Sequence, residues 1–186
     1  DVSDFEACAS GIAAVEDAIG PIDILVNNAG VNRDGIFHKM DREDWDAVLR
    51  VDLGSMFNVT RQVIVGMRER GFGRIINISS VNAANGQAGQ TNYCAAKAGV
   101  EGFTRALARE SAGKGITVNA IAPGYADTAM VEAVPDKIVE QILDDVPLSR
   151  LAEPAEIGRC VRFLASDDAG FITGATLAVN GGLRMG

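Results

Sequence analysis

Apolar residues recur along this chain in two alternating rhythms, one of helices and one of buried strands. From Asp4 to Ile19 they fall three and four apart, at Phe5, Cys8, Ile12 and Val15, which predicts an amphipathic helix stopped by Gly20-Pro21. Ile22-Asp23-Ile24-Leu25-Val26 then reads as a short strand. A stripe of Trp45, Val48, Leu49, Met56, Val63 and Met67 predicts one long helix from Asp41 to about Arg70, where Gly71 ends it. Arg74-Ile75-Ile76-Asn77-Ile78 is apolar on nearly every residue, as expected of a strand covered on both faces. A Gly/Asn/Gln-rich loop leads to a helix over about Asn92–Ala112 that turns Ala96, Val100, Phe103 and Leu107 inward. A third strand, Ile116–Ile121, ends at Pro123-Gly124, and a mixed segment follows over Tyr125–Leu151. Pro154 opens a helix as its first-turn residue, with Ile157, Val161 and Leu164 facing in, and Thr176–Val179 is the last strand.

Strand alternating with helix predicts an α/β fold, a doubly wound parallel sheet joined by right-handed crossovers. The 186 residues suit a single domain with a sizeable core, and no repeat or linker divides them. A formal charge of −8 argues against nucleic acid and against an anionic membrane surface, since both need a basic face. No apolar run approaches the ~20 residues that span a bilayer. Cys8, Cys94 and Cys160 are odd in number and widely spaced, so they read as reduced thiols of a cytoplasmic protein. No His/Cys cluster has metal-ligand spacing.

The candidate chemistry lies around the second strand and the helix after it. Tyr93 and Lys97 stand one helical turn apart on one face. A free phenol, with a reference pKa of ~10, is a poor acid at neutral pH. A neighbouring ammonium and a helix N-terminus are expected to favour the phenolate and bring Tyr93 toward the working pH, ready to exchange a proton with a substrate oxygen. Ser80, just past a strand end, is placed to hydrogen-bond the same oxygen as charge develops.

Asn27-Asn28-Ala29-Gly30, Ser80 with Tyr93 and Lys97, Pro123-Gly124 with Thr128, and Val179-Asn180-Gly181-Gly182 occur in this order along the whole chain. Together they resemble the short-chain dehydrogenase/reductase family, enzymes that move hydride between NAD(P)(H) and a carbonyl or alcohol. Within it, Gly89-Gln90-Thr91-Asn92-Tyr93, Pro123-Gly124-Tyr125 and Gly182–Gly186 look most like acetoacetyl-CoA reductases, and next like 3-oxoacyl-(acyl-carrier-protein) reductases. The resemblance implies a Rossmann-like fold, NADP(H) as cofactor with NAD(H) as alternative, an acyl thioester substrate and a homotetramer. A non-catalytic assembly subunit is the rival of another class.

Carried over residue by residue, the resemblance implies that Tyr93 is the general acid in ketone reduction, Ser80 orients the carbonyl, and Lys97 tunes Tyr93 and binds the nicotinamide ribose. Asp1 and Val2 would touch adenine, Asn28, Ala29 and Gly30 would line the adenosine ribose, and Pro123, Gly124, Ala126 and Thr128 would hold the carboxamide. Gln87, Gln90 and Tyr125 would border the acyl pocket. The chain departs from the family at Asp52, where an Asn whose neighbourhood holds a relay water is usual. Asp52 falls on the apolar stripe, either as a buried carboxylate satisfied by backbone donors or as part of that relay. His38, in a charged loop, reads as solvated or as a pocket rim, and Glu153 with Glu156 reads as a helix cap.

No glycine-rich dinucleotide loop occurs in these residues, and the first residue is Asp1 rather than Met. The chain is therefore expected to begin at the end of the family's third strand, inside a longer protein. On that expectation the strand at Ile22–Val26 is left as an exposed apolar edge.

Overall fold

The computed structural model describes residues 1–128, 131 and 136–185. Among these, four parallel strands lie in the order β1 (Ile24–Asn27), β2 (Gly73–Ile78), β3 (Ile116–Pro123), β4 (Thr176–Val179). The register sets Leu25 beside Ile75 and Ile75 beside Val118, so these three share one face of the sheet. The helices on that face are α1 (Phe5–Ile19), α3 (Ser55–Arg70) and α5 (Thr91–Ser111). Leu25, Ile75 and Val118 pack there with Val63 and Met67 of α3 and Ala108 of α5. The opposite face carries Ile76 and Ile121 against Leu164 of the late helix Pro154–Ala165.

The second face is unevenly covered. Ile24 and Val26 of β1 remain 48% and 40% exposed, whereas Ile76 beside them is buried. The expected apolar edge is thus present at β1, which pairs among the described residues only with β2.

The helical run expected from Asp41 to Arg70 is present without a break, but it is not α-helical throughout. It runs as α2 (Arg42–Val48), a π-helical turn over Leu49–Gly54, and α3. The extra residue in a π turn rotates the next helical segment about its axis. Val48, Met56, Val63 and Met67 stay inside, and Asp52 points inward with them. In α5 the fully interior positions are Ala96, Val100, Thr104 and Ala108; Leu107 is half-buried and packs against the core as expected, and Phe103 is only half-buried. Thr104 is preferred because it has a polar partner inside. Asn77 Nδ2 donates to Thr104 Oγ1 at 2.9 Å, and Asn27 Nδ2 donates to Asn77 Oδ1 at 2.9 Å and to Thr60 Oγ1 at 3.1 Å.

Further helical elements lie where the residue pattern assigns none. A short helix, α4 (Asn82–Asn85), fills part of the Gly/Asn/Gln-rich loop. A 3-10 turn covers Phe37–Lys39. Helix α6 (Asp136–Asp145) occupies the end of the mixed segment, some of which lies outside the described residues, as does Gly186. The last helix, α7 (Pro154–Ala165), opens with Pro154 and a reciprocal cap between Glu153 and Glu156, as expected.

The turn before β3 depends on Gly115, which has a left-handed backbone (φ 69°). A Cβ there would run into the carbonyl of Gly71, the left-handed residue that closes α3. Gly115→Ala should lower unfolding stability by at least about 2 kcal/mol, from backbone strain plus collision. The check is the urea midpoint at unchanged slope, and a midpoint equal to the parent's would contradict this account of the turn.

Candidate active site

Ligands of open parallel sheets sit outside the carboxyl ends of the strands. Here Asn28 to Gly30 follow β1, Ser79 and Ser80 follow β2, and Pro123 closes β3. Helix α5 starts beside them, with Tyr93 in its first turn and Lys97 one turn on. Asn92 fixes that start. Fully buried, it accepts from the Tyr93 backbone N–H at 2.8 Å and donates to the carbonyls of Arg33 at 2.9 Å and Asp44 at 3.3 Å.

Lys97 is buried, and its Nζ donates to the Ile78 carbonyl at 3.1 Å. The same atom lies 3.4 Å from Asp52 Oδ2 and 5.4 Å from the centre of the Tyr93 ring. Burial pulls the Lys97 amine below its ordinary range and the Asp52 charge opposes it. For Asp52 burial pushes upward, against the Lys97 charge and the backbone N–H of Val31, which donates to Oδ1 at 2.8 Å. Oδ2 receives no aligned hydrogen bond, so the Lys97 contact is chiefly charge against charge. Asp52 therefore has both a backbone donor and a place beside Lys97.

The expectation that Tyr93 is brought toward neutral pH does not hold. Its phenol is pushed up to about 12, first by burial, with the nearby Ser80 hydroxyl opposing and the Asp52 charge adding. Helical spacing reveals the Lys97 ammonium but not the carboxylate that faces it.

Ser80 is held by neighbours that sequence reasoning missed. Its Oγ accepts from the Asn82 backbone N–H at 3.1 Å, and Asn82 Nδ2 donates to Gln90 Oε1 at 3.0 Å. Gln90 Nε2 in turn donates to Asp34 Oδ2 at 2.9 Å, and Gly35 N–H meets the Gly89 carbonyl at 2.8 Å. The loop after β1 is thereby stapled to the loop before α5. The Asn82 side chain and Tyr125 line the same cavity. The concentration of short amides over 82–92 was the signal available for this network.

Gln87 and Tyr125 line a cavity of about 300 Å³ with Asn82, Ile142 and Leu183. Gln90 is instead engaged between Asn82 and Asp34. Asn28, Ala29 and Gly30 are exposed beyond β1. The Pro123 carbonyl accepts from Val81 N–H at 2.8 Å, and Gly124 N–H donates to the Val179 carbonyl at 2.9 Å. Ala126 bridges to Ala152, and Thr128 Oγ1 donates to the Ala126 carbonyl at 3.3 Å. Asp1 is exposed and Val2 half-buried, the Val2 carbonyl accepting from Asn58 Nδ2 at 3.0 Å. Among the described residues no hydrogen bond links either to Ser80, Tyr93 or Lys97. His38 is exposed. Among the described residues there is no metal-binding cluster and no helix long and apolar enough to cross a membrane.

Comparison with known proteins agrees with this geometry. A family profile described as enoyl-(acyl carrier protein) reductase matches residues 1–184. The acetoacetyl-CoA reductase of Rhizobium meliloti is 60% identical over 98% of this chain and 76% of its own length. Nodulation protein G of Azospirillum brasilense is 62% identical over 99% of the chain and 75% of its own length. The 3-oxoacyl-(acyl-carrier-protein) reductase of Haemophilus influenzae is 48% identical over 99% of the chain and 76% of its own length. With a half-buried Tyr93 beside buried Lys97 and a strand-end serine at the carboxyl edge of a parallel sheet, the chain belongs to the short-chain dehydrogenase/reductase family, oxidoreductases that act on the alcohol–carbonyl couple.

Proposed function

We propose that the protein reduces a 3-oxoacyl thioester, acetoacetyl-CoA foremost, to the 3-hydroxyacyl thioester with NADPH. The observation that carries this reading is buried Lys97, its Nζ 5.4 Å from the centre of the Tyr93 ring, at the strand edge where Ser80 follows β2. Asn82, whose backbone N–H bonds Ser80 Oγ, also lines the Gln87/Tyr125 cavity. The similar reductases act, by their names, on acetoacetyl-CoA or on carrier-bound 3-oxoacyl chains, and the carrier-bound chain is the alternative substrate.

The residues fit a nicotinamide nucleotide. A Cβ on Gly30 would stand 3.1 Å from Asp52 Oδ2 and 3.3 Å from Lys97 Nζ, so glycine alone leaves the backbone open above the ammonium. Of the three Lys97 N–H donors, one goes to Ile78 and one faces Asp52, which leaves one for a ribose hydroxyl. Asp1 and Val2 would meet the adenine, Asn28 to Gly30 the adenosine ribose, and Pro123, Gly124, Ala126 and Thr128 the carboxamide. When bound, the cofactor supplies hydride to the 3-keto carbon. Ser80 orients the keto oxygen, and Tyr93 delivers a proton to it as negative charge builds, a task for which a phenol protonated at neutral pH is in the correct state. Gln87 and Tyr125 line the acyl end, and Gln90 shapes it by holding Asn82.

Tyr93→Phe should lower kcat for acetoacetyl-CoA at least about 10²-fold, the usual worth of a positioned general acid, with a much smaller change in cofactor affinity by nicotinamide fluorescence. Near-normal turnover would remove Tyr93 from the reaction. Acetoacetyl-CoA should also exceed simple acetoacetate esters in kcat/KM, because binding energy from the remote CoA arm is realised in the transition state. Equal values would favour a general ketone reductase, and the ratio of NADPH to NADH in the same assay tests the coenzyme.

A further inference from the structure

Two asparagines in this chain precede glycine, Asn85 before Gly86 and Asn180 before Gly181. In such a pair no Cβ shields the glycine, and its backbone nitrogen can attack the side-chain carbonyl carbon of the asparagine. A C–N bond forms, ammonia leaves, and a five-membered cyclic imide remains. Water then opens either imide carbonyl to give aspartate or isoaspartate, and no oxidant or reductant takes part. Whether a pair reacts depends on how freely the side chain and the next peptide turn toward each other.

The fold treats the two pairs in opposite ways. Asn180 is only 8% exposed, its Nδ2 donates to the Arg184 carbonyl at 3.0 Å, and its Oδ1 accepts from the Gly182 N–H at 3.0 Å. A Cβ on Gly181 would stand 2.8 Å from Val146 Cγ1, so the peptide is packed in as well. Asn85 and Gly86 are both exposed. Among the described residues the Asn85 carboxamide makes no hydrogen bond, and a Cβ on Gly86 would meet nothing within 4 Å. The restraint on the attacking nitrogen is one bond, from the Gly86 N–H to the Asn82 carbonyl at 3.1 Å, the last of the four-residue helix α4. A helix this short does not sustain itself, and its exposed end opens at little cost.

The position gives the reaction a consequence. Asn85 and Gly86 line the Gln87/Tyr125 cavity, which already carries one carboxylate, Asp145. Aspartate at 85 adds a second. Isoaspartate does more, because it routes the main chain through the side chain and inserts an extra carbon, which α4 cannot accommodate with its hydrogen bonds intact. Asn82 begins that helix, and its backbone N–H holds Ser80 Oγ while its side chain holds Gln90. We propose that Asn85 is a site of spontaneous imide formation, a chemical clock that acts through α4 and Asn82 to loosen Ser80 and retire the enzyme with age.

The modification stands on the fold alone, and its effect on turnover rests on the proposed reduction. Folded enzyme is held in warm, mildly alkaline buffer and sampled over days. Peptide mass mapping and enzymatic methyl labelling of isoaspartate should place both products at Asn85, forming at least about tenfold faster than at Asn180. In urea the two pairs should react at similar rates, since only the fold separates them. Turnover of acetoacetyl-CoA should fall in step with isoaspartate. Asn85→Gln, whose longer side chain closes the ring far more slowly, should remove the product and slow that decline, measured against its own starting value. Asn85→Asp, a charge without the extra backbone carbon, should raise KM about two- to fivefold and leave kcat within about twofold. No product at Asn85, or equal rates at the two pairs in folded enzyme, overturns the modification site. Full kcat in isoaspartate-containing enzyme overturns the link to Ser80. A parent inactive on every thioester overturns the proposed reduction instead, while the mass readout still decides the site.

Discussion

The site is organised around one buried cation. Lys97 has almost no contact with water, and its ammonium is tolerable only because the Ile78 carbonyl and Asp52 replace the lost solvation. Removing one member of such a pair strands the other, at a cost of about 3–5 kcal/mol, so each element that supplies a partner is constrained by the rest. Strand β2 must end where its carbonyl reaches Nζ, the π-helical turn must hold Asp52 inward, and the chain after β1 must stay close enough for Val31 to bond Oδ1. Gly30 is required by the same crowding, since a side chain there would press on both charges.

The sheet interior supports this arrangement with uncharged polar groups. Asn27, Asn77 and Thr104 form a buried chain of hydrogen bonds from β1 across β2 into α5, one turn from Val100 and two from Lys97. Each donor in it is satisfied, which is what permits amides in an otherwise apolar sheet. A second chain, Ser80–Asn82–Gln90–Asp34, performs the equivalent task on the substrate side and ties the loop after β1 to Ser80. Two networks thus set the two ends of α5 relative to the strand ends.

Much of this was legible in the residue order. The β2 and β3 runs are apolar on both faces because both are covered, and the strand ends with Ser80, Tyr93 and Lys97 follow from spacing alone. The features that escaped have identifiable causes. A π turn leaves the apolar stripe nearly intact, so the helical run from Val48 to Met67 gives no sign of it. Thr104 outranks Phe103 because its hydroxyl finds Asn77, a partner on another element that no local pattern reveals. The direction expected for the Tyr93 phenol fails chiefly because burial raises it, with the charge of Asp52, forty-five residues from Lys97 along the chain, adding to the effect.

The central claim is that Ser80 and Tyr93 converge on one keto oxygen while Lys97 stays anchored behind them. A crystal structure of the enzyme with acetoacetyl-CoA and oxidised cofactor tests it directly. The account predicts the keto oxygen within about 2.6–3.2 Å of both Ser80 Oγ and the Tyr93 hydroxyl, with the Lys97–Asp52 and Lys97–Ile78 contacts retained. A keto oxygen bound away from Tyr93, or a Lys97 swung out of its buried pair, would contradict it.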